Sequence, residues 1–185
     1  MTSAILDPTG LSGKTTSLGF DLAPRRGDLS GVTVGLLENG KQNASLFLQE
    51  VADILRERYG AGEARMRRKE NFAAPAPPEL IDALSAEADL MVIGVGDCGS
   101  CSASAVVDGV LFERHGTPSA VICSDAFKAT ADAMADVQGA PGYGYVTTPH
   151  PVAGLTPAQV RERAEAVAAE VAGLLGAGGG ARGVA

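Results

Sequence analysis

The sequence predicts one doubly wound α/β domain: a flavodoxin-like, parallel five-stranded sheet in the order 2-1-3-4-5 with helices on both faces. Three observations predict it. Short apolar runs, each about the length of a strand, lack the inside–outside alternation of a half-exposed sheet, as strands buried on both faces do. Between them lie longer segments whose apolar residues recur at helical spacing. The alternation βαβαβαβαβα runs to the end of the chain, and such crossovers build a parallel sheet, for which 2-1-3-4-5 is a common order.

Each element has a local reason. "VTVGLLE" (32–38) is a short buried strand. In "ASLFLQEVADILRERYG", Leu46, Phe47, Val51, Ile54 and Leu55 share a helix face; Asn43 is the expected cap and Gly60 the stop. "EARMRRK" is a short basic strand, and "PPELIDALSAEA" a helix opened by proline and an acid. "DLMVIGVG" is the most strand-like segment, followed by the helix "SASAVVDGVLFERHG", which ends at Gly116. Next come the strand "PSAVICSD", the short helix "ATADAMADVQGA" and the strand "GYGYVTTP". The last helix, "TPAQVRERAEAVAAEVAGLLG", has Thr156 as cap and Pro157 at its first position. Residues 1–30 hold Pro8, Gly10, Gly13, Pro24 and Gly27 without a sustained period; they read as an irregular arm lying on the domain or on a partner subunit. The α/β domain spans 31–176, and 177–185 read as a flexible tail.

Composition excludes some functions. A net charge of −7 argues against a nucleic-acid partner. The basic run Arg65 to Lys69 reads as a solvated edge. The first residues lack the charged and apolar regions of a signal peptide, and no run approaches the ~18 apolar residues of a membrane span. The expectation is a cytoplasmic protein without a membrane partner, whose thiols stay reduced. Its three cysteines make no disulfide framework, so the close pair Cys98 and Cys101 points to catalysis or metal.

Topology then places the chemistry. Ligands of open α/β sheets bind at the C-terminal strand ends, where the strand order reverses. The loops there are "ENGKQN" (38–43) and "GDCGSCS" (96–102), with "SDAFK" and "TTPHP" on the same rim. Cys98 falls between strand end and helix start, where backbone N–H groups and the helix dipole favour a thiolate. Cys101, one turn on, is placed to resolve an adduct. Asn39, Gly40, Lys41, Gly99, Ser100 and Ser102 are the expected substrate contacts, with Lys41 lowering the thiol pKa if it crosses the cleft. His150, flanked by prolines, is the expected acid/base; Asp97 and Asp125 would orient it or cap helices. Glu38 is on the rim with its role open, and His115 reads as a partner of a helix C-terminus.

Alternatives remain at this stage. Cys98, Cys101, Cys123 and His150 form a donor set for zinc or another soft-ligand metal, which would suit a hydratase or lyase. Gly94, Gly96 and Gly99 spell G-x-G-x-x-G, but after the third strand and without the acid a dinucleotide site needs; Asp125 is too distant. "GLSGKTT" (10–16) has the look of a P-loop, but Pro8 stands where its first glycine is required.

Together "LDPTG", "LLENGKQN", "GDCGSCS", "GTPSAVICSDAF" and "TTPHPVAG" resemble the UGSC family of (seleno)proteins, over nearly the whole chain. By that resemblance Cys98 stands where other members carry selenocysteine, and Cys101 is the cysteine of the motif. More distantly, the second half is similar to the selenoprotein B component of glycine, sarcosine and betaine reductases, with Cys123 and His150–Pro151 at matching places. Ser104 stands where those reductases carry a further cysteine, and their pyruvoyl-generating half is missing, so glycine reduction does not carry over. Cysteine and selenocysteine are both soft nucleophiles, so their exchange marks a position chosen for reactivity. The resulting expectation is a thiol-dependent, reductase-like oxidoreductase acting on a small molecule, as a homo-oligomer or with another enzyme subunit. No cofactor is expected beyond the metal ion of the alternative reading. A third class is a non-catalytic subunit of a heteromeric enzyme.

Overall fold

The computed structural model describes residues 20–177. The P-loop-like letters, the start of the arm and the tail beyond Ala177 lie outside these residues. In chain order the elements are β1 (Val34–Glu38), α1 (Ala44–Tyr59), β2 (Ala64–Arg68), α2 (Pro78–Glu87), β3 (Leu90–Gly96), α3 (Gly99–Arg114), β4 (Ser119–Ser124), a 3-10 turn (Asp125–Phe127), α4 (Lys128–Val137), β5 (Val146–Thr148) and α5 (Pro157–Leu174). The sheet runs β2-β1-β3-β4-β5 with every neighbouring pair parallel. This is the predicted fold and strand order.

The period of a strand sorts the core. Val34, Leu36, Val92 and Ile122 pack toward α1 and α5, while Leu37, Met91, Ile93, Val121 and Cys123 pack among α2, α3 and α4. β1, β3 and β4 are buried along their whole length, which is why they read as continuous apolar runs. β2 is one of the two edge strands, and Arg65, Arg67 and Arg68 are exposed on it as expected. Lys69, just past its end, corrects the solvated-edge reading: it is 4% exposed. α5 has the full capping box, with Thr156 and Gln159 bonding reciprocally and Pro157 opening the helix. Gly60 ends α1 at a φ of 75°, where glycine carries no Cβ penalty.

Asn43 corrects another expectation. It occupies the cap position of α1 at a φ of 67° and makes no side-chain cap bond. Its amide instead donates to the carbonyls of Val152, Ala153 and Leu155, bracing the loop after β5. Asparagine tolerates this left-handed backbone better than most residues, so one side chain serves both turn and brace.

Residues 20–30 form no helix or strand and lie on the domain. Arg25 bridges to Glu113, whose side chain is fully buried, and the same carboxylate accepts the N–H groups of Ala23 and Ser119. Arg25 also donates to the carbonyl of Leu174 at the end of α5. Among the described residues no helix is long and apolar enough to cross a membrane.

Candidate functional site

α3 begins at Gly99, three residues earlier than the sequence suggested, which makes Cys98 its N-cap. The Cys98 Sγ accepts the Cys101 N–H at 3.3 Å, the role a serine or aspartate oxygen usually fills. A disulfide joins Cys98 to Cys101. The two sulfurs differ in access: Cys98 is partly exposed, whereas Cys101 is fully buried. Ser100 is exposed, its hydroxyl 3.6 Å from the Cys98 sulfur.

The glycines of this loop have separate reasons. A Cβ on Gly96 would stand 2.7 Å from the Cys123 sulfur and the Ser102 hydroxyl, so that glycine is required by packing of β3 against β4 and α3. A Cβ on Gly99 would meet open space, which leaves the approach to Cys98 unobstructed from that side. Ser102 is buried and donates to the Gly96 carbonyl, so its hydroxyl serves the turn.

His150 comes to the same rim. Its Nδ1 lies 3.0 Å from Asp97 Oδ1 and 3.2 Å from the Ser124 hydroxyl. The other Asp97 oxygen accepts the N–H groups of Val152 and Ala153, and Asp125 accepts the N–H of His150 itself. Both carboxylates thus orient the histidine loop, Asp97 through ring and backbone and Asp125 through backbone. With Nδ1–H donated to Asp97, the other ring nitrogen of neutral His150 is left as a proton acceptor. Phe127 packs edge-on to the ring at 5.3 Å between centroids. Serine, histidine and aspartate meet here, yet not as a hydrolase triad: Ser124 and Asp97 share one ring nitrogen, and the Ser124 hydroxyl donates to the Gly96 carbonyl.

The loop after β1 lies across the reversal in strand order. Asn39 donates to the Val95 carbonyl and accepts the Lys41 N–H, tying this loop to β3. Glu38, buried at the strand end, accepts the Gly40 N–H and pairs with Arg68 at 3.3 Å. The Lys41 ammonium sits 3.9 Å over the Phe72 ring, so its charge is engaged there rather than in a contact with the thiols. Asn39 and Gly40 line a hollow of about 310 Å³ together with Arg68, Lys69, Glu70 and Phe72. The sequence pointed to Asn39 and Gly40 but not to the residues after β2.

Cys123 and His115 lie apart from this chemistry. Burial pushes the Cys123 thiol up to about 12, against a smaller opposing effect of its bond with Ser102. His115 closes α3, with Nδ1 on the Leu111 carbonyl and Nε2 3.3 Å from Asp82, the helix-end role expected of it. Among the described residues, no group of three His, Cys, Asp or Glu side chains is arranged to hold a metal ion.

No curated protein matches the chain. The model of the UGSC family matches residues 4–177, which take in the arm, the whole sheet and every site residue described above. The chain belongs to the UGSC family.

Proposed function

We propose that the chain is a thiol-dependent, reductase-like enzyme in which Cys98 attacks a small electrophilic substrate and Cys101 resolves the adduct. The observation that carries this reading is the bonded pair at the head of α3, one sulfur partly exposed and the other buried. In the reduced protein the Cys101 N–H and the helix N-terminus favour the Cys98 thiolate. That thiolate displaces X⁻ from a substrate R–X, forming Cys98–S–R. The Cys101 thiolate then attacks the Cys98 sulfur, closing the disulfide and expelling R⁻ as a thiolate or stabilised carbanion. His150 takes up on its free ring nitrogen the proton released by the dithiol and passes it to R⁻, so dithiol and R–X become disulfide, R–H and HX. An external dithiol reductant returns the two electrons and two protons.

Alkylation with iodoacetamide tests the assignment. In the reduced protein Cys98 is expected to label first near neutral pH, Cys101 later and Cys123 only on unfolding. Slow or unselective labelling of Cys98 would overturn the proposal. So would stoichiometric metal that disappears in Cys98→Ser, the outcome of the metal reading.

A further inference from the structure

The basic segment after β2 holds a feature the thiol chemistry does not use. The Lys69 ammonium donates to Asp108 and to Ser104, both at 2.6 Å. The Ser104 hydroxyl donates to the Ala74 carbonyl, and the second Asp108 oxygen accepts the Ala76 N–H. Both ends of the loop between β2 and α2 are thus tied to α3. Cys101, Ser104 and Asp108 are spaced i, i+3 and i+7, so they share one helix face. The loop is therefore fastened to the face of α3 that carries Cys101, starting one turn away.

Two hollows flank this loop. The smaller, beside Asn39 and Gly40, shares Arg68, Lys69 and Glu70 with a larger one of about 530 Å³. The larger hollow has an apolar wall of Pro75, Pro77, Leu80 and Ala83. We propose that the two form one trough that is the substrate site of the dithiol, an inference resting on the thiol reading above. It takes a small carboxylate with a short apolar tail, the carboxylate on Arg68 and the tail along the proline wall.

Four observations select that ligand. Lys69 is engaged by Asp108, so Arg68 is the lining cation left to meet an anion. The Arg68 guanidinium is held by Glu38 and by the Gly40 carbonyl, while its side chain is 68% exposed and keeps N–H groups to offer. A Cβ on Gly40 would stand 3.0 Å from its Nη2, so glycine there makes room for the fork. The Lys41 ammonium lies over Phe72, which lines the smaller hollow, and so brings a second positive charge beside it, while the acidic lining residues Glu70 and Glu79 are exposed to solvent.

Hexanoate and its neutral analogue hexanamide test the proposal by calorimetry on the full chain. Hexanoate is expected to bind, with Arg68→Gln weakening it about tenfold or more and Arg68→Lys restoring part of the loss. Arg67→Gln, on the neighbouring cation that pairs with Glu87, is expected to change nothing. Equal binding of the two probes, no binding of hexanoate, or an equal loss in Arg67→Gln would overturn the carboxylate site. Bound hexanoate should also slow iodoacetamide alkylation of Cys98 in the reduced protein. Arg68-dependent binding without that protection would overturn the trough as the dithiol's site. An unreactive Cys98 alongside Arg68-dependent binding would count against the thiol chemistry and leave the carboxylate site standing.

Discussion

Replacing Lys69 by methionine should destabilise the protein by an amount that grows with pH. The Lys69 and Asp108 side chains are 3% and 1% exposed, so this pair has little of the solvent screening of a surface bridge. Removing one partner of a buried pair costs about 3–5 kcal/mol, because the other charge is left without compensation. Burial raises the Asp108 carboxyl above its ordinary 3.8, and the charge and hydrogen bond of Lys69 are the main effects opposing that rise. In Lys69→Met only the Ala76 N–H still opposes it, so the folded pKa climbs further. A carboxyl with a raised folded pKa binds more protons folded than unfolded. Its contribution to stability is whole below the unfolded pKa and is lost as pH rises through the folded one. The deficit against wild type is therefore smallest in acid and largest above the new pKa. Urea unfolding at about pH 5 and about pH 8 measures it. Adding Asp108→Asn removes the stranded charge and keeps an oxygen for the Ala76 N–H, so the double variant should regain most of the loss and flatten the pH dependence. A deficit under about 1 kcal/mol, or one independent of pH, would refute the reasoning, since either is the behaviour of a solvated pair.

Two further outcomes follow from the same kind of reading. Asn43→Ala loses three donations to the loop after β5 and leaves a Cβ residue at a φ of 67°, for a cost of about 1–3 kcal/mol. Asn43→Gly removes only the donations, so its thermal midpoint should fall between those of wild type and Asn43→Ala; the reverse order would deny the backbone strain. Arg25→Met strands the buried Glu113 carboxylate and should cost about 3 kcal/mol or more, together with faster proteolysis within residues 20–30. Unchanged cleavage there would mean the arm is held by something other than this bridge.

The fold was legible because parallel strands buried on both faces have to be apolar throughout, as "DLMVIGVG" and "SAVICS" are. The cysteine pair was legible for a related reason: strand order alone places the loop after β3 at the reversal. What could not be read were residues whose role is set by a partner distant in the chain. Lys69 looks like surface because a lysine in a basic run usually is. Its burial depends on Asp108 and Ser104 on another helix, and two polar residues within "SASAVVDGV" do not announce a cation partner. Asn43 has the letter and position of a helix cap, and nothing local reveals that its amide turns toward residues 152–155. Gly96 could not be explained from the sequence either: the G-x-G-x-x-G spelling lacks the acid a dinucleotide site needs, and the packing reason for this glycine, Cys123 and Ser102 filling the space a Cβ would need, comes from other elements.

These two misread residues, Lys69 and Asn43, brace opposite sides of the rim. On one side, Asn43 and Asp97 grip the loop after β5, each through several hydrogen bonds, and Asp97 is the residue next to Cys98. His150 and Cys98 are thereby referred to one carboxylate, so a shift of His150 would disturb the turn that presents Cys98. On the other side, the loop after β2 is fixed at its ends by Asp108 and Ser104, while Glu70, Asn71, Phe72 and Ala73 between them are exposed. The thiol chemistry proposed above, which has to hold a thiolate and a proton-transfer group in fixed relation yet admit a substrate from solvent, would be served by this asymmetry. Substitutions in Asp97 should therefore disturb Cys98 reactivity toward every electrophile, whereas those in Arg68 or Phe72 should change which electrophile is preferred.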